Sequence, residues 1–350
     1  MQCRKLIDRL AAEKRLNFEQ WRTLWREWKS VDQIYAAGIA RDIAVKNFGH
    51  QVYIRGIVEF ANYCGNDCFY CGIRKSNLKV KRYCMDSGQV IACCRTGYEN
   101  NIRTFVLQSG EATGFDAVEF GELVRRIKSE FPDCAVTLSL GELSFEEYAL
   151  LKAAGADRYL LRQESACEVH YRKMHPPCMS LSNRIKCLRN LKKLQYQTGC
   201  GFMTGAPFQS PESLAEDMLF IADLQPEMVG IGPFIPHADT PFGRFPAGTL
   251  EQTLLALSLC RIMLPEVLLP ATTALGTLQP DGREQGILSG ANVIMPNLTP
   301  ASVQADYTLY NNKQTADVPV NDIVEQWRSR LSSIGYTLAA GRGDFGEKIC

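Results

Sequence analysis

The chain has 350 residues, of which 46% are hydrophobic and 22% charged, and this composition excludes an intrinsically disordered protein. Its 39 Lys and Arg nearly balance its 38 Asp and Glu, so the net charge of +1 predicts no nucleic-acid partner and no anionic membrane surface. The N-terminus is charged throughout, unlike a signal peptide, and no run of about 18 apolar residues predicts a membrane span. We therefore expect a cytoplasmic protein whose 14 cysteines are reduced thiols.

The predicted elements alternate between short apolar runs, which indicate strands, and longer amphipathic segments, which indicate helices. The predicted strands cover residues 52–60, 104–108, 135–140, 158–162, 199–203, 228–232, 268–272 and 292–295. The predicted helices between them cover residues 117–129, 146–154, 183–193, 211–224 and 250–263. Strands that are apolar almost throughout are typical of a parallel sheet covered by helices on both faces, so the predicted fold class is α/β.

Eight strands in this alternation predict a complete (β/α)8 TIM barrel over residues 51–350, preceded by an N-terminal helical extension over residues 1–50. An open doubly wound sheet is the alternative. Polar residues within or just after the predicted strands favour the barrel, because they would converge at the mouth formed by the carboxyl ends of the strands. They include Glu59, Gln108, Glu111, Arg162 and Thr272.

Three cysteines lie close together directly after the first predicted strand, in the sequence Cys64-Gly-Asn-Asp-Cys68-Phe-Tyr-Cys71. A zinc site is one interpretation, since Cys84 would supply a fourth ligand. A [4Fe–4S] cluster is the other, because such a cluster takes four ligands and this motif supplies three. A metal position left open by the protein is typical of a catalytic site rather than a structural one.

The C-x3-C-x2-C spacing, with the aromatic Tyr70 before the last cysteine, resembles the signature of the radical SAM superfamily. This resemblance implies that Cys64, Cys68 and Cys71 hold three irons of a [4Fe–4S] cluster and that S-adenosylmethionine (SAM) binds the fourth. It also implies that one electron cleaves SAM to methionine and a 5′-deoxyadenosyl radical, so that an electron donor is needed. The cluster would carry the difficult chemistry, while the protein supplies binding and orientation.

Within this resemblance, SAM needs an anion near its ammonium group and a cation near its carboxylate. Ser109 and Glu111 end the second strand, like a superfamily turn beside the ammonium group, and Arg184 resembles the arginine that pairs with the carboxylate. Arg162 and Glu164 end the fourth strand and offer both charges, although these side chains and Arg184 would also suit an ion pair at the barrel rim. Two further residues are predicted to pack on the adenine, with core packing as their alternative: Met295 and Tyr307.

Longer strings resemble the HydE family of [FeFe]-hydrogenase maturases, which belongs to the group of biotin synthase and methylornithine synthase. The similarity begins near residue 48 and rests on Ile54-Arg-Gly-Ile-Val-Glu59-Phe60, Leu107-Gln-Ser-Gly-Glu111, Thr137-Leu-Ser-Leu-Gly-Glu142, Asp157-Arg-Tyr-Leu-Leu-Arg162-Gln-Glu164, Gly230-Ile-Gly-Pro-Phe-Ile-Pro-His237, Pro270-Ala-Thr-Thr-Ala274 and Gly290-Ala-Asn-Val-Ile-Met-Pro-Asn297. It implies an Fe(CO)2(CN)-cysteine complex, made by the companion maturase HydG, as the substrate. The radical would attack the cysteine sulfur, leaving sulfur on iron in a precursor of the hydrogenase diiron subcluster. The maturase HydF would receive this product.

A cavity for this anionic complex needs positive charge and neutral hydrogen-bond donors. Two arginines are predicted to supply the charge, Arg55 and Arg158. The predicted neutral contacts are Gln108, Thr137, Ser139, Thr272 and Thr273. His237, in the loop after the sixth strand, is a predicted ligand or proton donor, with a structural role as the alternative.

Some members of this family hold a second cluster near the C-terminus, but residues 300–329 contain no cysteine here, so we predict one cluster only. This absence also weakens the biotin synthase interpretation. An amino-acid mutase of the methylornithine synthase type and a non-catalytic iron–sulfur carrier remain as alternatives. The other cysteines are interpreted mostly as small buried residues: Cys3, Cys84, Cys93, Cys94, Cys134, Cys167, Cys178, Cys187, Cys200, Cys260 and Cys350.

Overall fold

The computed structural model describes residues 2–111, 114–313 and 318–347. The helices of this part of the chain are α1 (Gln2–Glu13), α2 (Phe18–Glu27), α3 (Ser30–Phe48), α4 (Ser87–Glu99), α5 (Ala117–Glu130), α6 (Phe145–Ala153), α7 (Glu168–Met174), α8 (Leu181–Lys193), α9 (Pro211–Leu224), α10 (Leu250–Met263), α11 (Thr273–Leu278), α12 (Gly282–Leu288), α13 (Ala301–Gln304) and α14 (Val320–Ser333). Its strands are β1 (Gln51–Ile54), β2 (Gly56–Ala61), β3 (Thr104–Ser109), β4 (Ala135–Ser139), β5 (Arg158–Leu160), β6 (Gln197–Cys200), β7 (Met203–Thr204), β8 (Met228–Val229), β9 (Gly232–Pro233), β10 (Val293–Ile294) and β11 (Thr337–Leu338). Among these helices none has the length and apolar character that crossing a membrane requires.

The strands pair in parallel, as the apolar strand sequences predict. The largest sheet has the order β2-β3-β4-β5-β6-β8, and two smaller sheets have the orders β10-β1-β11 and β7-β9. The register places Val58 beside Leu107 and Leu107 beside Leu138. In the largest sheet, each strand pairs with the next one along the order, and at least one helix lies between the two in the chain. This is the arrangement of repeated β-α-β units. The predicted α/β class is confirmed.

The strands lie in three sheets of the described residues rather than in one continuous eight-stranded sheet. Isolated parallel bridges connect Met228 with Leu268, Pro270 with Val293, and Ile57 with Asn297. The first predicted strand is split at Arg55 into β1 and β2, and the seventh contributes only the bridges at Leu268 and Pro270 without forming a named strand. The fold is therefore TIM-barrel-like, and complete closure of the barrel stays a prediction.

Local sequence determines where several helices begin. Ser144 precedes α6 and Ser210 precedes α9, and each accepts a hydrogen bond from the backbone three residues later in a capping box. Pro211 occupies the first turn of α9, where a missing N–H costs nothing. Helices α2 and α3 pack on α9 and α10 and share their apolar core, which includes Trp21. The division at residue 50 into an extension and a barrel domain stays a prediction.

Candidate active site

A cavity of about 350 Å³ opens at the carboxyl ends of the parallel strands. Residues from the ends of β2, β3, β4 and β5 line one part of it, and the three motif cysteines line another. This is the position at which α/β barrels place their active sites. The volume is within the usual range for a site that encloses a small molecule.

The loop between β2 and α4 holds Cys64, Cys68 and Cys71 against this cavity. The backbone N–H of Gly65 donates to the carbonyl of Glu111 at 2.7 Å, and that of Phe69 donates to the carbonyl of Met174 at 2.9 Å. These bonds fix the loop to the segment after β3 and to the end of α7. The positions of the three thiols are thus set by backbone contacts rather than by their own side chains.

Burial, followed by the neighbouring Cys64, raises the pKa of Cys68 to about 12. Burial likewise raises the pKa of Cys71, with Cys68 and Cys64 as the next causes. All three thiols also line the same cavity. Metal binding would replace their protons and remove this mutual repulsion.

Cys84, the fourth ligand of the zinc interpretation, is exposed and pairs by its backbone with Ala61. It is not among the residues that line the cavity. Within residues 2–111, 114–313 and 318–347, no three His, Cys, Asp or Glu side chains converge on a position for one metal ion. A [4Fe–4S] cluster does not require the thiols to converge on one metal ion, because each thiolate binds its own iron. Three thiols around one cavity fit such a cluster.

Tyr70 faces the cavity, and its hydroxyl is 3.0 Å from Nε2 of His175. The Nδ1 atom of His175 is 2.9 Å from the carbonyl of Tyr171, to which it donates. Burial lowers the pKa of His175 to about 3, so the ring is neutral and Nε2 accepts from the Tyr70 hydroxyl. Sequence reasoning missed His175, since nothing in its local sequence distinguishes it from a core histidine.

Arg184 lies between two carboxylates at the cavity edge. Its Nε is 2.6 Å from Glu142 Oε1, and its Nη2 is 3.6 Å from Glu111 Oε2. Burial opposes its charge, but Glu111 and Glu142 together raise the pKa of Arg184 above its ordinary value. Gly141, at φ +84°, lies against the Glu111 carboxylate, which a Cβ at this position would overlap. The turn after β4 therefore requires glycine for this contact.

Arg162 and Glu164 form a second pair that lines the cavity, with 3.0 Å between Nη2 and Oε2. The pair is imperfect, because these two atoms and the Arg162 Nε are buried without a hydrogen-bond partner in the described structure. Glu164 also has a φ of 62°, a left-handed conformation that is uncommon outside glycine and concentrates at functional sites. A buried ion pair whose hydrogen-bonding atoms are left unused matches a ligand that carries an ammonium and a carboxylate group.

The remaining predicted cavity residues lie where the strand ends place them. Gln108 donates from Nε2 to the Tyr307 hydroxyl at 3.2 Å. The Oγ1 of Thr272 is buried without a partner in the described structure, so it is available to a ligand. Several other predicted residues also line the cavity: Ser109, Ser139, Thr273 and Met295.

A buried ion pair between Glu59 and Lys313 also lines the cavity, and sequence reasoning missed Lys313. The Lys313 Nζ is 2.5 and 2.7 Å from the two Glu59 carboxylate oxygens and 2.9 Å from the Tyr307 carbonyl. Their side chains are only 4% and 7% exposed, for Glu59 and Lys313 respectively. Asn297 donates a further hydrogen bond to Glu59. The lysine therefore brings a positive charge into the cavity wall.

The structure corrects the placement of Arg55 and Arg158, which do not line the cavity. Arg158 begins β5, at the end of the sheet opposite the cysteines, and its Nη2 lies 2.6 Å from Asp344 and 2.9 Å from the Arg342 carbonyl. Arg55 donates to the Gly343 carbonyl at 3.1 Å. Both guanidinium groups therefore hold the C-terminal segment across the barrel floor.

Two other predicted contacts also lie outside the cavity lining. Thr137 is buried in the middle of β4. His237 packs against Gly72, and its Nδ1 accepts a hydrogen bond from the Asp239 backbone, as the structural alternative predicts. Of the other cysteines, the buried ones are Cys3, Cys93, Cys94, Cys134, Cys187, Cys200 and Cys260. Cys350 lies outside the described residues.

Comparison with known proteins agrees with this geometry. The family model described as the Radical SAM superfamily matches residues 58–221, from β2 through the cysteine loop into α9. The crystal structure of methylornithine synthase (PylB) superposes with a TM-score of 0.82 at 25% identity, covering 95% of this chain and 97% of that one. The fold of the maturase HydG is similar, with a TM-score of 0.80 at 18% identity over 97% of this chain and 76% of that one. Fold and site thus define a radical SAM enzyme.

The sequence of the [FeFe] hydrogenase maturase subunit HydE from Thermotoga maritima is 46% identical over 275 residues, which cover 79% of this chain and 78% of the relative. The 3-methylornithine synthase of Methanosarcina barkeri is 28% identical, covering 78% of this chain and 77% of the relative. The chain belongs to the HydE family and is a radical SAM enzyme of [FeFe]-hydrogenase maturation. The interpretation as a non-catalytic iron–sulfur carrier is wrong.

Proposed function

We propose that Cys64, Cys68 and Cys71 hold a single [4Fe–4S] cluster, which, when bound, supplies the electron that cleaves SAM. The placement of the three thiols around one cavity supports this assignment. Iron analysis of the reconstituted protein is expected to give about four irons per chain, whereas about eight would contradict a single cluster.

In this proposal, the chain orients SAM through the two ion pairs beside the cysteines. Arg184 and Arg162 bind the methionine carboxylate, while Glu111 and Glu164 bind the ammonium group and the ribose hydroxyls. Glu142 holds Arg184 in position by its 2.6 Å contact with Nε. Tyr70, fixed by its hydrogen bond to His175, closes the site beside the last cysteine and excludes water. Ser109, Met295 and Tyr307 complete the pocket for the adenosyl part of SAM.

The proposed substrate is the small anionic Fe(CO)2(CN)-cysteine complex, and the charge balance of the cavity carries this proposal. Each carboxylate that lines the described cavity has a cation within reach: Lys313 for Glu59, Arg184 for Glu111 and Arg162 for Glu164. A diamino acid would need a further carboxylate for its second ammonium group, so this balance opposes the mutase alternative. Neutral donors suit a cyanide nitrogen or a cysteine carboxylate.

The neutral donors proposed to contact the complex are Gln108, Ser139, Thr272 and Thr273. Ile57, Leu160 and Phe234 supply an apolar wall against which the carbonyl ligands would pack. The product proposed is a precursor of the diiron subcluster that keeps the cysteine sulfur. We further propose HydG as the source of the complex and HydF as the recipient of the product. The proposed location is the cytoplasm. The barrel is proposed to close through the bridges that join Ile57 to Asn297 and Pro270 to Val293.

The test is substrate consumption by the anaerobically reconstituted enzyme with SAM and dithionite. We expect the synthetic iron–cysteine complex to be consumed together with SAM, while lysine is left unchanged. Replacing Thr272 by Val removes one buried hydroxyl and keeps the side-chain shape, so it should weaken substrate binding about tenfold and leave SAM affinity unchanged. Consumption of lysine in place of the iron complex would contradict the proposal.

A further inference from the structure

A basic loop, residues 74–82, directly follows the third cysteine. Residues 68–85 contain no Asp or Glu, although the whole chain has nearly equal numbers of acidic and basic residues. The five cations of this loop are Arg74, Lys75, Lys79, Lys81 and Arg82. Arg74 is neutralised by Asp67, 2.6 Å away, so the charge that this loop offers to a partner is that of its lysines.

The basic loop is tied to the cysteine loop by hydrogen bonds. The backbone N–H of Lys75 donates to the Asn66 carbonyl at 2.8 Å, between the first two cysteines, and that of Arg74 donates to the Cys71 carbonyl at 3.2 Å. Arg82 donates to the carbonyls of Asn62, Ile73 and Arg74 at 2.6–2.8 Å. These hydrogen bonds connect the basic loop directly to the segment that carries the three thiols.

The outer face of the basic loop is exposed. Lys79 and Lys81 each have 78% of their side chains in solvent, and Lys75 is exposed as well. Lys79 lies 2.5 Å from Asp239 and Lys81 lies 3.5 Å from Asp306, and both carboxylates are less exposed than their lysines. Such exposed pairs are weak, so both ammonium groups can exchange these partners for carboxylates of another protein at little cost.

Leu78 lies among these lysines and is 92% exposed, although a leucine gains about 2 kcal/mol on full burial. An exposed apolar residue surrounded by cations is typical of a docking surface, in which charge guides the encounter and the apolar contact is made at the centre. The loop belongs to no helix or strand, and none of its residues is among those that line the cavity. Chemistry inside the cavity therefore does not explain the lysines on the outer face of the basic loop.

We propose that the basic loop is the docking surface for a small acidic electron-carrier protein that reduces the cluster. The proposal rests on the assignment of the cluster to Cys64, Cys68 and Cys71. The carrier would lose one electron, and this is the electron consumed when a carbon–sulfur bond of SAM breaks. Charge complementarity identifies the carrier as acidic, and the hydrogen bonds to Asn66 and Cys71 bring it to the cysteine loop.

The experiment compares two reductants for the reconstituted enzyme, a purified acidic bacterial ferredoxin and dithionite. The variant carries Lys75→Gln, Lys79→Gln and Lys81→Gln together. Ferredoxin binding is measured by isothermal titration calorimetry, and 5′-deoxyadenosine formation is measured against ferredoxin concentration. We expect the Kd and the KM for ferredoxin to rise about tenfold at low ionic strength and their salt dependence to flatten. The rate with dithionite, a small molecule that needs no docking surface, should not change.

A matched variant carries Lys5→Gln, Lys46→Gln and Lys193→Gln, which remove the same charge from exposed positions on α1, α3 and α8. It should retain the KM for ferredoxin. An unchanged ferredoxin KM in the basic-loop variant would overturn the proposal, and so would an equal loss with both reductants. Absence of SAM cleavage by the unmodified enzyme with dithionite would instead refute the cluster assignment itself.

Discussion

Replacement of Lys313 by Met would leave the buried Glu59 carboxylate in the cavity wall without its cation. Both side chains are almost fully buried, and Asn297 would be the one remaining side chain that donates to the Glu59 carboxylate in the described structure. Breaking a buried ion pair by removing one partner costs about 3–5 kcal/mol of unfolding free energy, because the other charge stays in a poorly solvated place. We expect a loss of this size near pH 8.

The loss should shrink as the pH falls. Burial already raises the pKa of Glu59, although Lys313 lowers it, so the removal of Lys313 raises this pKa further. A carboxyl whose pKa is higher in the folded than in the unfolded chain binds an extra proton when folded, so its effect on stability worsens as the pH rises. Between pH 8 and pH 6, the loss of unfolding free energy caused by Lys313→Met should fall by at most about 1.4 kcal/mol per pH unit.

The assay is anaerobic urea unfolding of the reconstituted enzyme at pH 6, 7 and 8. Lys81→Met is the matched control, because Lys81 pairs with Asp306 at the surface and its loss should cost less than about 1 kcal/mol. Adding Glu59→Gln to Lys313→Met should recover most of the stability, since the neutral amide still accepts from Asn297. A loss that is independent of pH, or that the second substitution does not recover, would refute this reasoning.

Three further substitutions test the site and the barrel floor. Arg184→Gln should weaken SAM binding by about tenfold or more in equilibrium dialysis, whereas Arg189→Gln on the exposed side of the same helix should not; equal affinities would make Arg184 structural. Tyr70→Phe removes the hydrogen bond to His175 and should lower the rate of 5′-deoxyadenosine formation about tenfold, and an unchanged rate would contradict its positioning role. Asp344→Asn should lower the free energy of unfolding by about 1–2 kcal/mol at pH 7. The reason is that Arg158 and Gln197 hold the pKa of Asp344 below its ordinary value despite partial burial. That stability is present above the unfolded pKa and is lost as the pH falls through the folded one, so a cost that does not decrease as the pH is lowered below the unfolded pKa would contradict this reasoning.

The cysteine motif and the strand-end residues were predictable from the sequence because both depend on local patterns. The three thiols lie within one loop, and Glu111, Arg162 and Glu164 follow strands whose apolar sequences predict them. Parallel strands bring their carboxyl ends to the same face, so knowing where each strand ends was enough to group these side chains. The structure places all of them on one cavity.

The placement of Arg55 and Arg158 failed because a position within a strand also decides which end of the barrel a side chain reaches. Arg158 is the first residue of its strand, so it points to the floor, where the C-terminal segment supplies carbonyl acceptors. Lys313 and His175 were missed for another reason. Their partners, Glu59 and Tyr70, lie 254 and 105 residues away in the chain, and no local pattern predicts such contacts.

The cleavage of SAM by the anaerobically reconstituted chain tests most directly whether the three cysteines form the catalytic centre. With SAM and dithionite, the unmodified enzyme should produce 5′-deoxyadenosine, and the Cys68→Ser variant should produce none although it retains the fold. Cys84→Ser, which changes an exposed cysteine outside the cavity, should cleave SAM as the unmodified enzyme does. No 5′-deoxyadenosine from the unmodified enzyme, or undiminished production by Cys68→Ser, would contradict the account.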